Sequence, residues 1–371
     1  MTSVSEGRFH SVDVSSITPG PLRATLRTSD GVLLEALHEP CTARAEGAYE
    51  GGPAVVDRPD AVNRPDAVDR PDAVDRGTAI VVAHGFTGSV DRPAVRRAAR
   101  VLARRAAVVT FSFRGHGRSG GQSTVGDREV LDLAAAVAWA RSLGHRRVVT
   151  VGFSMGGSVV LRHAALYGAA CAGREAAGAG GDTAGGAGTG AGGARNPGRA
   201  ANPGRAARTG TDPATGGDVR RAGEARGPWP YGAGREPWRA ADARDGRTDA
   251  VAAVSAPARW YYRGTAPMRR LHWVVTRPAG RLVGRYGLRT RIHPEDWDPV
   301  PLSPVEAVPL IAPTPLLIVH GDRDAYFPLD HPRMLAAAGP SELWLEPGMG
   351  HAENAADDAL LGRLADWLVR A

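Results

Sequence analysis

Lysine is missing from this 371-residue chain, and all 46 of its basic residues are arginine. A formal charge of +7 and a pI near 10.0 would suit a binder of nucleic acid or of anionic surfaces. The arginines are scattered, however, and no recognised nucleic-acid motif accompanies them. They read as a compositional bias, and no nucleic-acid partner is expected. Cysteine is nearly absent too. Cys41 and Cys171 are too few for a disulfide framework and read as small apolar fillers or loop thiols. No run of about 18 apolar residues could span a membrane, and residues 1–10 lack the apolar stretch of a secretory signal. These absences point to a soluble cytoplasmic enzyme without a transmembrane segment, and they leave its oligomeric state open.

The segments that are present divide the chain unevenly. Residues 1–20 read as a polar tail. Two alternating runs at 24–27 and 32–38 flank Ser29-Asp30-Gly31, a strong hairpin signal. Residues 57–74 repeat DRPDAV, NRPDAV, DRPDAV; with a proline in each copy, this reads as a solvated loop over 57–76. From residue 78 a regular beat begins. Apolar runs at 79–83, 107–113 and 147–153 alternate with helical patterns at 94–104, 127–143 and 155–167, the signature of a parallel sheet with crossover helices.

That beat breaks at residue 171. Over 171–247 leucine, isoleucine and valine almost vanish in favour of glycine, alanine, arginine and proline, so the segment cannot bury enough apolar area to offset its ordering entropy. It reads as a disordered insertion between a first core part (21–170) and a second (248–371). Further apolar runs follow at 249–255, 315–320 and 342–345, and an amphipathic helix is expected over 355–369. The stretch 258–308 is rich in tryptophan, tyrosine and arginine and does not repeat the strand–helix beat.

One pentapeptide carries chemistry. Gly152-Phe153-Ser154-Met155-Gly156 fits G-x-S-x-G where a buried strand meets a helix, the setting that turns a weak pattern into a nucleophile elbow. A serine hydroxyl needs a base to take its proton. Of the chain's 11 histidines, His351 is the candidate, since it sits in a glycine-rich loop between the last strand and the last helix. His84 and His320 are explained by turns at strand ends, and His163 by its helix. The base in turn needs an orienting carboxylate. Asp322 and Asp324 both follow the strand ending near His320; Asp322 reads as a turn former beside Gly321, and Asp324, further into the loop, is preferred. No metal-ligand spacing is present, and neither metal nor cofactor is required by this chemistry.

With these residues in view, the chain resembles an α/β-hydrolase, in the branch that includes monoacylglycerol lipases and proteins labelled serine aminopeptidases. The resemblance rests on HGFTGS (84–89), RGHGRSGG (114–121), GFSMGG (152–157), HGDRDAYFP (320–328) and GMGH (348–351). It implies a mostly parallel sheet flanked by helices, with a cap over 256–309, and it places the catalytic acid at Asp324. It also implies an oxyanion hole made of the backbone N–H groups of Phe86 and Met155.

Several readings stay open at this point. Trp260, Tyr261, Tyr262, Trp273 and Trp297 either line an acyl pocket or form the cap's own small core. Arg263, Arg269, Arg270, Arg277 and Arg281 read as solvating the cap, and Arg114 as a brace between loops. The expected activity is serine hydrolysis of a carboxylic ester or related acyl bond in a small-molecule substrate. The rivals are an acyltransferase or small-peptide hydrolase on the same triad, and a non-catalytic binding protein of the same fold.

Overall fold

The computed structural model describes residues 20–42, 77–168 and 246–371. The tail, the repeat loop and the insertion expected at 1–20, 57–76 and 171–247 lie outside the described residues, save for residues 20, 246 and 247 at their edges.

Strands β1 (Leu22–Arg27) and β2 (Leu33–Glu39) form the hairpin signalled by Asp30-Gly31, where Gly31 takes φ +86°. The alternation then gives β3 (Thr78–Ala83), α1 (Pro93–Leu102), β4 (Ala107–Phe111), α2 (Glu129–Ser142), β5 (Arg147–Phe153) and α3 (Met155–Tyr167). From residue 246 onward come β6 (Val251–Val254), α4 (Ala266–Thr276), α5 (Pro278–Tyr286), α6 (Pro304–Ala307), β7 (Leu316–Gly321), α7 (Asp330–Ala338), β8 (Glu342–Glu346), α8 (Ala352–Ala355) and α9 (Asp358–Arg370). The C-terminal helix expected over 355–369 is α9, which starts three residues later; α8 is a separate short helix that ends at Ala355. Asp357 caps α9, its side chain accepting the Leu360 N–H at 2.8 Å, and this starts a new helix rather than continuing one.

All eight strands form one sheet in the order β1-β2-β4-β3-β5-β6-β7-β8. β1, β2 and β4 pair antiparallel in turn, and every pairing from β4 through β8 is parallel. β3 to β7 are covered on both faces, which is why they read as unbroken apolar runs. Their side chains alternate between two cores. Val81, Val109, Leu161 and Ile318 belong to one, and Ile80, Val149, Val151 and Leu361 to the other.

The register positions the site. Ala83 pairs with Gly152, Phe153 with Val254, and Val254 with Val319. The residues that follow these pairs, His84, Ser154, Ser255 and His320, therefore stand together at the sheet's carboxyl edge.

Arg114, buried behind this edge, braces it as the sequence suggests. Its Nε and Nη2 donate to Asp132 on α2 at 2.9 and 2.6 Å, and Nη1 and Nη2 donate to Asp30 in the hairpin turn at 2.7 and 3.0 Å. Burial works against the guanidinium charge, but the two carboxylates outweigh it and hold its pKa above the ordinary arginine value. Asp132→Ala would leave this buried cation half-paired. It is expected to lower the unfolding free energy by about 3–5 kcal/mol, read from the midpoint of urea unfolding.

Among the described residues, no helix is long and apolar enough to cross a membrane.

Candidate active site

Ser154 occupies the turn between β5 and α3 with φ +52°, a left-handed conformation that a non-glycine residue adopts only under constraint. The constraint is steric. A Cβ on Gly152 would lie 2.1 Å from the Gly156 carbonyl oxygen, and one on Gly156 would lie 2.1 Å from that of Ala83. Only glycine at both positions lets the helix start this close to the strands, and the tight turn lifts the Ser154 hydroxyl off the sheet edge. Met155 is the first residue of α3, so its N–H has no partner within the helix.

His351 lies in the loop between β8 and α8. Its Nε2 stands 2.8 Å from the Ser154 Oγ, and its Nδ1 stands 2.7 Å from the Asp324 Oδ2. An ionised carboxylate can only accept, so Nδ1 carries the proton and Nε2 is free to accept from the serine hydroxyl. The Tyr326 ring stacks on the imidazole at 4.2 Å between centroids.

The choice between the two aspartates is resolved by geometry. Asp322 is exposed and accepts the Gly348 N–H at 2.6 Å, so it shapes the histidine loop. The Asp324 side chain is fully buried; besides His351 it accepts the N–H groups of Tyr326 and Phe327 at Oδ1, at 2.8 and 3.1 Å. Burial alone would raise the Asp324 pKa. The bond from His351 and the two backbone donors outweigh it and hold the carboxyl below its ordinary value, so it stays charged.

The peptide joining Gly85 and Phe86 is fixed from one side. The buried His84 accepts the Phe113 N–H at Nε2 (3.0 Å), which puts its proton on Nδ1, and Nδ1 donates to the Gly85 carbonyl at 2.7 Å. Burial, aided by His116 nearby, lowers the His84 pKa to about 3, so the ring is neutral. The Gly88 N–H reaches the same carbonyl at 2.9 Å. Because N–H and C=O point oppositely in a trans peptide, these bonds turn the Phe86 N–H the other way. The Gly85 N–H donates to the Glu353 Oε1 at 3.1 Å. His84 thus does more than the turn assigned to it from sequence. Glu353 was not singled out there, and no pattern along the chain links it to Gly85.

A cavity of about 140 Å³ opens beside Ser154, walled chiefly by Phe86, Val125, Met155, Trp260, Met268 and Trp297. Tyr261 and Tyr262 also line it, whereas Trp273 is exposed on the outer side of α4. The tryptophan N–H groups are turned away and bonded, Trp260 to the Pro301 carbonyl at 2.9 Å and Trp297 to that of Thr124 at 2.7 Å, so the rings offer the cavity apolar surface. Arg263, Arg269, Arg270 and Arg277 are exposed and Arg281 is half-buried.

Residues 78–173 match the family model described as alpha/beta hydrolase fold. The whole architecture is similar to the esterase Pf2001 of Pyrococcus furiosus, at 16% identity over 94% of this chain and 92% of that one, with a TM-score of 0.51. It is also similar to the alpha/beta hydrolase GrgF of Penicillium sp. sh18, at 14% identity over 95% and 99% of the two chains, again with a TM-score of 0.51. No curated protein matches the sequence. The fold is the α/β-hydrolase fold.

Proposed function

We propose that this chain is a serine hydrolase that cleaves a carboxylic ester, or a closely related acyl bond, through a covalent acyl-enzyme. The observation that carries the reading is the continuous chain of short contacts from the Ser154 hydroxyl through His351 to the buried Asp324. The monoacylglycerol lipase-like motifs in the sequence and the esterase among the similar folds support it.

His351 Nε2 takes the hydroxyl proton as Ser154 Oγ bonds to the substrate carbonyl carbon, and Asp324 stabilises the imidazolium that forms. The oxygen of the tetrahedral intermediate accepts from the Phe86 and Met155 N–H groups, each worth about 3 kcal/mol where negative charge develops. Collapse expels the alkoxide, which leaves as the alcohol with the proton from His351. Water then adds to the acyl-enzyme by the same route, releasing the acid and restoring the serine.

A second reading, hydrolysis of small peptides, is favoured by one observation. Glu295 and Asp296 stand exposed at the cavity rim, where a carboxylate would meet a substrate amine. Preference for an amino-acid 4-nitroanilide over 4-nitrophenyl butanoate would select it.

The test of the serine mechanism is covalent. A fluorophosphonate should add once to the protein, at the peptide containing Ser154, and the Ser154→Ala protein should gain nothing. Labelling elsewhere, or equal labelling of both proteins, would overturn the reading.

A further inference from the structure

Val125, in the wall of the cavity, has φ +57°, a conformation that is a genuine outlier for a β-branched residue. Such strain persists only where the surroundings over-determine it. Here they do. The fully buried Glu129 carboxylate accepts from the Ser123 hydroxyl (2.8 Å), the Thr124 N–H (2.8 Å), the Thr124 hydroxyl (2.7 Å) and the Gly126 N–H (2.9 Å), gripping the chain on both sides of Val125. Trp297 holds the Thr124 carbonyl from the cap side, and Arg162 on α3 holds the Gly126 carbonyl from below.

The cavity that Val125 helps to line is small. At about 140 Å³ it matches the cavities of roughly 150 Å³, lined by aliphatic and aromatic side chains, that hold one benzene molecule. It also lies on one side of the reacting atoms. A leaving oxygen must face the His351 Nε2 to receive its proton, and His351 is not part of the cavity wall, whereas Phe86, Ser154 and Met155 are. The cavity is therefore the place for the acyl substituent.

Building on the hydrolase reading above, we infer that the substrates are esters whose acyl group is no larger than a benzoyl or hexanoyl group, and that Val125, clamped by Glu129, sets this limit. Long-chain acyl groups, which the lipase-like motifs alone would allow, are excluded.

The experiment is a 4-nitrophenyl ester series from acetate to dodecanoate, run on the wild type and on Val125→Gly. Glycine adopts a positive φ without strain, so the fold tolerates the change while the wall recedes. For the wild type, kcat/KM should rise about fourfold per methylene from acetate while the cavity fills, and should fall by at least about tenfold beyond hexanoate. Val125→Gly should raise the decanoate-to-butanoate ratio of kcat/KM by about tenfold or more. Thermal unfolding of both proteins checks that the change is local.

A wild-type profile that keeps rising to dodecanoate, or a ratio that Val125→Gly leaves unchanged, would overturn the inference. Fluorophosphonate labelling keeps the two claims apart. A labelled Ser154 with the wrong chain-length profile removes the size limit and leaves the hydrolase; an unlabelled Ser154 with no ester turnover removes both.

Discussion

Ser154→Ala is expected to lower kcat for 4-nitrophenyl butanoate by about 10⁶-fold while leaving a folded protein with nearly unchanged thermal stability. The size of the loss follows from what remains. The Phe86 and Met155 N–H groups and the apolar cavity would still bind the ester, so the variant should retain a residual rate about 10³-fold above uncatalysed hydrolysis. The fold should survive because the elbow is shaped by Gly152 and Gly156 packing against backbone, not by the serine hydroxyl, whose partner in the structure is His351. Circular dichroism and 4-nitrophenolate release on the same sample would separate lost chemistry from lost structure.

Asp324→Asn should cost about 10⁴-fold in kcat with little effect on stability. The reason is a tautomer. Asp324 Oδ1 is committed to the N–H groups of Tyr326 and Phe327, so the asparagine carbonyl oxygen must take that side. Its NH₂ group then faces His351 Nδ1, where the carboxylate now accepts at 2.7 Å. Two donors cannot share that contact. The imidazole must move its proton to Nε2, and a protonated Nε2 cannot accept from Ser154. Restoring an acceptor with Asp324→Glu would not rescue the rate fully, because the longer side chain cannot keep all three bonds of a fully buried group. A kcat loss below tenfold for the asparagine variant would mean that the carboxylate does not orient the ring.

Much of this was legible in the residues themselves, and the rest was not, for identifiable reasons. The tight turn at Ser154 could be read because the close approach of α3 to the strands admits only glycine two positions either side of it, so the geometry is written into residue type. The parallel sheet was legible because strands buried on both faces must be continuously apolar. The carboxylate could be read only as a preference for Asp324 over Asp322, since the path of the loop, not chemistry, decides which of them reaches His351. Glu353 and its partner Gly85 are 268 positions apart, and no local pattern signals such a pair. Val125 was hidden for the opposite reason: its residue type argues against the backbone it adopts, and the bonds made by Glu129, Trp297 and Arg162 overrule that preference. The five aromatics Trp260, Tyr261, Tyr262, Trp273 and Trp297 shared one residue class, so sequence could not separate the cavity-facing Trp260 and Trp297 from the exposed Trp273.

The claim beneath all of this is that serine, histidine and aspartate act as one device. It is tested most directly by comparing Ser154→Ala, His351→Ala and the double variant on one ester under single-turnover conditions. Removing either group alone should already abolish nucleophilic attack, so all three proteins should share one residual rate to within about threefold. If the double variant were slower than the wild type by the product of the two single losses, the two side chains would be acting independently, and the contact at 2.8 Å would not be the reactive one.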